Sequence, residues 1–170
     1  MSPRKLDALL LVLVLGAALF FRFWQEGRVP PGMDFDEAFE SLEAHRLVTE
    51  SGYHPVFFSG NNGVPPTEIY LTAAVYLVAG EQMLASRSVS AAVGVLTVLA
   101  LYLLARRLFP PSRTPDPRED AVSPSPVVRR FLPATAALLL AVLPWHVAFS
   151  RRGIEVVLLP LWAVLAVLFF

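Results

Sequence analysis

Apolar residues gather into runs along this chain instead of recurring singly. Four long runs stand out: 6–24, 89–108, 131–149 and 154–170. Each reaches or nearly reaches the roughly 20 residues that a membrane-crossing helix needs. A fifth, weaker run from Thr67 to Ala79 is interrupted by Glu68, Tyr70, Thr72 and Tyr76. At about 13 residues it predicts a helix at, or dipping into, the membrane interface and not a full span. Between the first and second strong runs lies a polar stretch, 25–88. Between the second and third lies another, 109–130. Six prolines between Pro110 and Pro126 (Pro110, Pro111, Pro115, Pro117, Pro124 and Pro126) predict an irregular loop there.

Within the first polar stretch, Pro30-Pro31-Gly32 is a turn signal. Asp34 follows and precedes Glu37 by three positions, the spacing of a capping box with Asp as the cap. The pattern then predicts a short amphipathic helix from Phe35 to about Thr49. Phe35, Ala38, Phe39 and Leu42 fall on one face, with Glu37, Glu40 and Glu43 mostly elsewhere. Such a helix suits the membrane surface. Asp34 and Glu37 have a structural job as cap and dipole partner. That job explains Asp36 less well, because one cap suffices.

Composition sharpens this picture. Of 170 residues, 55% are hydrophobic and only 16% charged, with a mean hydropathy of +0.57. A soluble domain of this length carries about 25% charged residues. The formal net charge is zero, so nothing points to a nucleic-acid partner. The absence of cysteine excludes a disulfide scaffold and a thiolate metal site. The first run follows a short basic start, as in a signal peptide. Arg22-Phe23-Trp24-Gln25 stands where a small-residue cleavage site would be, so the run is read as an uncleaved helix with Trp24 as an interfacial anchor. Arg4, Lys5, Arg106, Arg107, Arg113, Arg118, Arg129 and Arg130 fall on one side of the resulting arrangement. By the positive-inside rule, 109–130 is expected in the cytoplasm and 25–88 outside. The chain closes inside an apolar run at Phe170, which reads as the N-terminal part of a longer protein.

The string MDFDEAFESLEAHRL after a first hydrophobic helix resembles the first outer loop of the GT-C membrane glycosyltransferases. It is most similar to the branch holding the protein O-mannosyltransferases and the aminoarabinose transferases of lipid A. In that resemblance Asp36-Glu37 is the acidic pair opening an amphipathic helix, and Pro65-Pro66 is the following proline step. Ala85-Ser86-Arg87-Ser88-Val89-Ser90-Ala91 resembles the family's arginine-containing start of the next helix. Leu101-Tyr102-Leu103-Leu104-Ala105-Arg106-Arg107-Leu108-Phe109 resembles its end. Ala148-Phe149-Ser150-Arg151 with Glu155 resembles a later Ser-Arg step followed by an acid. The chain departs from many relatives in carrying Val64 and Pro65, without a charge, just before the proline step. The family's chains are also several times longer.

The resemblance implies an all-α, multi-pass transmembrane helical bundle of GT-C type, with amphipathic juxtamembrane helices in its first outer loop. Residues 1–170 would be the N-terminal part of one transmembrane glycosyltransferase domain in the cell membrane. It implies inverting hexosyl or pentosyl transfer from a polyprenyl-phosphate-linked donor to a glycan, lipid or protein hydroxyl on the outer face. Asp36 is then the general base and Glu37 its support. Arg87, Arg151 and Glu155 are candidates for donor-phosphate or substrate binding. From the residues alone, Arg87, Arg151 and Arg152 equally suit helix ends where arginine reaches headgroups, and Glu155 suits an ion pair with Arg151 four residues earlier. His54 and His146 read as hydrogen-bonded interface residues. No His/Asp/Glu spacing makes a metal site, so no cofactor is expected; a divalent metal would be compatible but has no support in the sequence. The turn-rich loop Phe57–Gly63 reads as a loop, with lining of an acceptor pocket the alternative. Two other classes compete. A transport component would place its polar residues near the bilayer midplane, whereas here they cluster at helix ends. A non-catalytic membrane scaffold or inactive fragment is kept open by the end of the chain inside an apolar run.

Overall fold

A computed structural model describes residues 2–110 and 125–170. In chain order the described elements are α1 (Pro3–Phe23), α2 (Phe35–Thr49), α3 (Pro66–Ala79), α4 (Met83–Leu108), α5 (Pro126–Val142), α6 (Pro144–Ser150), a 3-10 turn (Glu155–Val157) and α7 (Leu158–Phe169). The one β feature among the described residues is an isolated antiparallel bridge between Phe58 and Val64. Pro3, Pro66, Pro126 and Pro144 stand in the first turns of α1, α3, α5 and α6. There the missing N–H has no helical partner to lose, and the fixed φ favours the helix.

α1 and α4 are long and apolar enough to cross a membrane, and α5 with α6 forms a third candidate if the bent pair is one span. α3 and the helix ending at Phe169 are shorter apolar helices. The expected third run is therefore not straight: it bends by 60° between α5 and α6. Pro144 causes the break, because it cannot donate to Leu140 and its ring crowds that carbonyl. The break also leaves the Ala141 carbonyl without a helical partner. Arg22 of α1 fills the gap, donating from Nη1 to Ala141 O at 3.1 Å and from Nη2 to His146 Nδ1 at 2.7 Å. His146 is thus the hydrogen-bonded interface residue expected, whereas His54 is exposed.

Two other boundaries move. α4 starts at Met83, six residues before the apolar run, because Met83 to Ser88 has no helix breaker and continues the helix outward. Arg87 consequently lies inside α4 and not at its threshold. α5 starts at Pro126, with Ser125 Oγ accepting from Val128 N at 3.4 Å, so the last part of 109–130 is helical. The rest of the expected cytoplasmic loop, 111–124, lies outside the described residues.

One core joins α1, α4 and α5 through Val14, Ala18, Val98, Tyr102, Ala134, Ala137 and Ala141. The three alanines of α5 form a stripe that lets backbones approach closely. Gly94 serves the same purpose on α4. A Cβ there would lie 2.6 Å from Arg22 Nε and 2.7 Å from Ser150 Cβ. A second core, built from Ala44, Phe58, Val64, Ile69, Ala73, Tyr76 and Ala85, joins α2, α3 and the start of α4. It is this second body that carries the acidic pair.

α2 faces the opposite way from a helix in a soluble core. Phe35 is 73% exposed and Leu42 56%, while Glu37, Glu40 and Glu43 are buried. Burial of three carboxylates on one helix requires a partner or a proton for each. Glu37 has Arg87, Glu43 has Arg46 and the Tyr53 hydroxyl, and Glu40 lies beside Glu155.

Candidate functional site

The site is built around the start of α2. Asp34 caps the helix, its Oδ1 accepting from Glu37 N at 2.9 Å, as the spacing indicated. The reciprocal half of the capping box does not form, because the Glu37 side chain turns inward. Its two oxygens take Arg87 Nε at 2.6 Å and Nη2 at 2.9 Å, a bidentate pair with both side chains fully buried. Arg87 then spends its remaining N–H groups on main-chain carbonyls: Nη1 on Glu26 O at 3.0 Å and Pro30 O at 2.9 Å, Nη2 on Gly32 O. All five of its donors are used. They fix the Pro30-Pro31-Gly32 turn that delivers Asp34 and Asp36.

Arg151 does similar work one layer out. Its Nε donates to Val29 O at 3.0 Å, Nη1 to Phe21 O at 2.8 Å, and Nη2 to Trp24 O at 2.7 Å and Val29 O at 2.8 Å. The expected Arg151–Glu155 ion pair is absent. The backbone turns out of α6 after Ser150, and Arg151 reaches back across the end of α1 while Glu155 turns toward α2. Glu26 sits buried between the two arginines. Burial pushes its carboxyl up to about 7, against the pull of Arg151 and Arg87.

Glu155 lies in a second acidic group. Its backbone N–H donates to Glu40 Oε1 at 3.2 Å. Burial, followed by the hydrogen bond and charge of Glu155, pushes Glu40 up to about 10, so Glu40 holds its proton at neutral pH. Glu68 accepts from Ser90 Oγ at 2.6 Å, and burial raises it to about 7. Among the described residues, no group of three or more His, Cys, Asp or Glu side chains could hold a metal ion.

Asp36 differs from all of these acids. It is exposed, and its one hydrogen-bond partner among the described residues is Asn61, whose Nδ2 donates to Oδ1 at 2.8 Å. Asn61 stands in the tight loop closed by the Phe58–Val64 bridge. There Asn61, Asn62 and Gly63 take positive φ of 49°, 63° and 94°. Gly60 of that loop is forced by Phe39 of α2, whose ring carbon Cζ would lie 2.6 Å from a Cβ. The loop and α2 are therefore in register, and the loop read as a mere connector touches the acid. Sequence reasoning missed Asn61. Its signal was the Asn-Asn-Gly run, which marks a left-handed turn without saying what the side chain meets.

Arg152 was set aside as a headgroup-seeking residue. Its Nη1 instead pairs with Asp34 Oδ2 at 3.1 Å, with the two side chains 42% and 37% exposed. The start of α2 thus brings together Asp34, Asp36, Glu37, Arg87, Asn61 and Arg152. Arg151 and Glu155 support it from the side. The apolar grooves between α3 and α4 (about 340 Å³) and between α4 and α7 (about 270 Å³) are lined by none of these residues.

Residues 63–114 match the family model described as dolichyl-phosphate-mannose-protein mannosyltransferase. The match supports a GT-C, mannosyltransferase-like family and with it a glycosyltransferase in the membrane. It covers the proline step, α3 and α4 with Arg87. Asp36, Glu37, Arg151 and Glu155 lie outside it. No curated protein and no solved structure matches the chain.

Proposed function

We propose that the chain forms the N-terminal part of a multi-pass GT-C glycosyltransferase, 1–170. In this reading it transfers a sugar from a polyprenyl-phosphate donor to an acceptor hydroxyl outside the cell membrane. α2 and α3 then lie along the outer membrane surface, with Phe35 and Leu42 toward lipid. The observation that carries the reading is the contrast at the start of α2. Asp36 is open and held by one amide, while the neighbouring charges Glu37, Arg87 and Arg151 are locked into the scaffold.

In the reaction, Asp36 takes the proton of the acceptor hydroxyl as its oxygen bonds to the anomeric carbon. The bond from that carbon to the donor phosphate breaks, and the lipid phosphate leaves with the electron pair. Attack from the face opposite the phosphate inverts the sugar. Asn61 fixes the carboxylate rotamer, so the proton-accepting oxygen is preset. Glu37 supports the base by anchoring Arg87. Arg87 and Arg151 contribute by holding the turn before Asp36, since their donors are already committed to carbonyls and Glu37. Glu155 seats the segment Gly153–Glu155 against α2. Hexosyl and pentosyl donors fit this chemistry equally, as do glycan, lipid and protein acceptors.

Asp36→Asn keeps the shape and removes the proton acceptor. Turnover of a radiolabelled polyprenyl-phosphate sugar in membranes holding the natural protein is expected to fall by about 10²–10⁴-fold. Asp34→Asn keeps the cap but loosens the Arg152 ion pair, so its rate should fall less than that of Asp36→Asn. Near-normal turnover of Asp36→Asn would overturn the assignment.

A further inference from the structure

We infer that Arg152 is the cation that meets the donor's phosphate, and that Asp34 and Gly153 exist in part to place it beside Asp36. This rests on the sugar-transfer reading above. The departing phosphate gains negative charge as its bond to the sugar breaks, so it needs a cation with free N–H groups near the base. Arg87 has none left, and Arg151 is buried with four of its N–H bonds spent on carbonyls. Arg46 is held by Glu43, Glu50 and Tyr53 at the far end of α2. Arg28 is exposed, with no ion pair fixing it to α2. Arg152 alone of these is both tethered to the start of α2 and open to solvent, with one Nη1 contact to Asp34 at 3.1 Å.

The tether is reinforced by backbone. Gly153 N donates to Glu37 Oε1 at 3.4 Å and Glu155 N to Glu40 Oε1 at 3.2 Å, so the segment after Arg152 lies along the acidic face of α2. Gly153 also presses on α4. A Cβ at that position would lie 2.9 Å from Ser86 Cβ and 3.2 Å from the Ser86 carbonyl carbon. Backbone cannot give way as a side-chain tip can, so any larger residue pushes Arg152 away from Asp34. At the start of α2, Arg87 offsets Glu37 and Arg152 offsets Asp34, so neither acid faces an incoming phosphodiester unpaired. Arginine's planar fork can release one N–H pair to phosphate while Asp34 keeps the other.

The test measures binding of farnesyl phosphate to the purified protein in detergent, followed by tryptophan fluorescence, with inorganic phosphate as a parallel probe. Arg152→Gln is expected to weaken farnesyl phosphate binding between about tenfold and a hundredfold, the range for losing one or two charge-assisted hydrogen bonds. Arg152→Lys should fall between wild type and Arg152→Gln, and Gly153→Ala should weaken binding with every charge retained. Arg28→Gln should bind as wild type. Inorganic phosphate should compete only where Arg152 is present. Wild-type affinity in Arg152→Gln, equal losses in Arg28→Gln and Arg152→Gln, or no binding to the unaltered protein would overturn the assignment. Those results leave the role of Asp36 to its own turnover assay, so the two ideas fail separately.

Discussion

Replacing Arg87 by lysine keeps the charge and tests whether the guanidinium fork is what organises the acidic pair. Arg87 makes two bonds to Glu37 and three to the carbonyls of Glu26, Pro30 and Gly32, all in a side chain with no exposed surface. Lysine carries three donors on one nitrogen, so at least two of these five contacts are left without a donor. Each buried acceptor so stranded costs about 1–3 kcal/mol, which gives about 2–6 kcal/mol for the pair. In a chain of this size each kcal/mol moves the melting temperature by roughly 2–4 °C. The variant should therefore melt at least about 4 °C lower, followed by tryptophan fluorescence of the purified protein in detergent. Arg87→Ala should be worse in kind, because it leaves Glu37 buried without its counter-charge, at about 3–5 kcal/mol. Turnover should fall with Arg87→Lys even below its melting point, since the turn that presents Asp36 loses its carbonyl anchors. A melting point within about 1 °C of wild type would refute the reasoning. It would mean that the charge alone, and not the five-bond fork, holds the site.

Two further outcomes are expected. Glu40 carries a folded-state pKa of about 10 against an ordinary value of 4.5; between these values the folded chain binds the extra proton, so stability falls as pH rises, by at most about 1.4 kcal/mol per pH unit. Glu40→Gln should flatten that slope between about pH 5 and pH 10 in melts across a pH series, and an unchanged slope would show that Glu40 is ionised in the fold. For the proposed topology, cysteines placed at Ser59 and Ser112 should differ on intact cells, with Ser59 labelled by an impermeant thiol reagent and Ser112 protected; the reverse pattern would invert the arrangement.

The helices were legible because apolar runs and prolines are local signals. The run at 6–24 became Pro3–Phe23, and the short segment Thr67–Ala79 became Pro66–Ala79. The bend at Pro144 was written in the sequence too, but a hydropathy run averages across it. A proline within an apolar run can be a kink, a first-turn residue or neither, as Pro133 inside the unbroken α5 demonstrates. What selects the break is Arg22, more than a hundred residues earlier, which binds the carbonyl the break exposes. Nothing local to Pro144 carries that information. The start of α4 was misplaced for a related reason: Ser86 and Arg87 are polar, yet both are buried, Arg87 against Glu37 of α2 and Ser86 against Gly153 in the turn after Ser150.

The site was legible in its acids and not in its cations. Asp34 and Glu37 are separated by a helix-specific spacing, and a helix converts spacing into direction. Asp36 stood out by subtraction, since the cap needed only Asp34. No such rule applies to Arg87, Arg151 and Arg152. A guanidinium reaches far, and whether it meets a carboxylate, a carbonyl or solvent depends on which backbone groups the tertiary fold leaves unpaired. The connection from Phe23 to Phe35 forms no helix or sheet, so its carbonyls need donors from elsewhere. Arg87 and Arg151 supply them, with Val29, Pro30 and Gly32 as recipients. An irregular loop beside an apolar bundle thus consumes the arginines nearest to it. Arg152, which points past that loop and is tethered to the start of α2, keeps donors for something else. By this logic the number of unpaired carbonyls in the loop, and not the count of basic residues near the acidic pair, sets how much positive charge such a site can offer a phosphate.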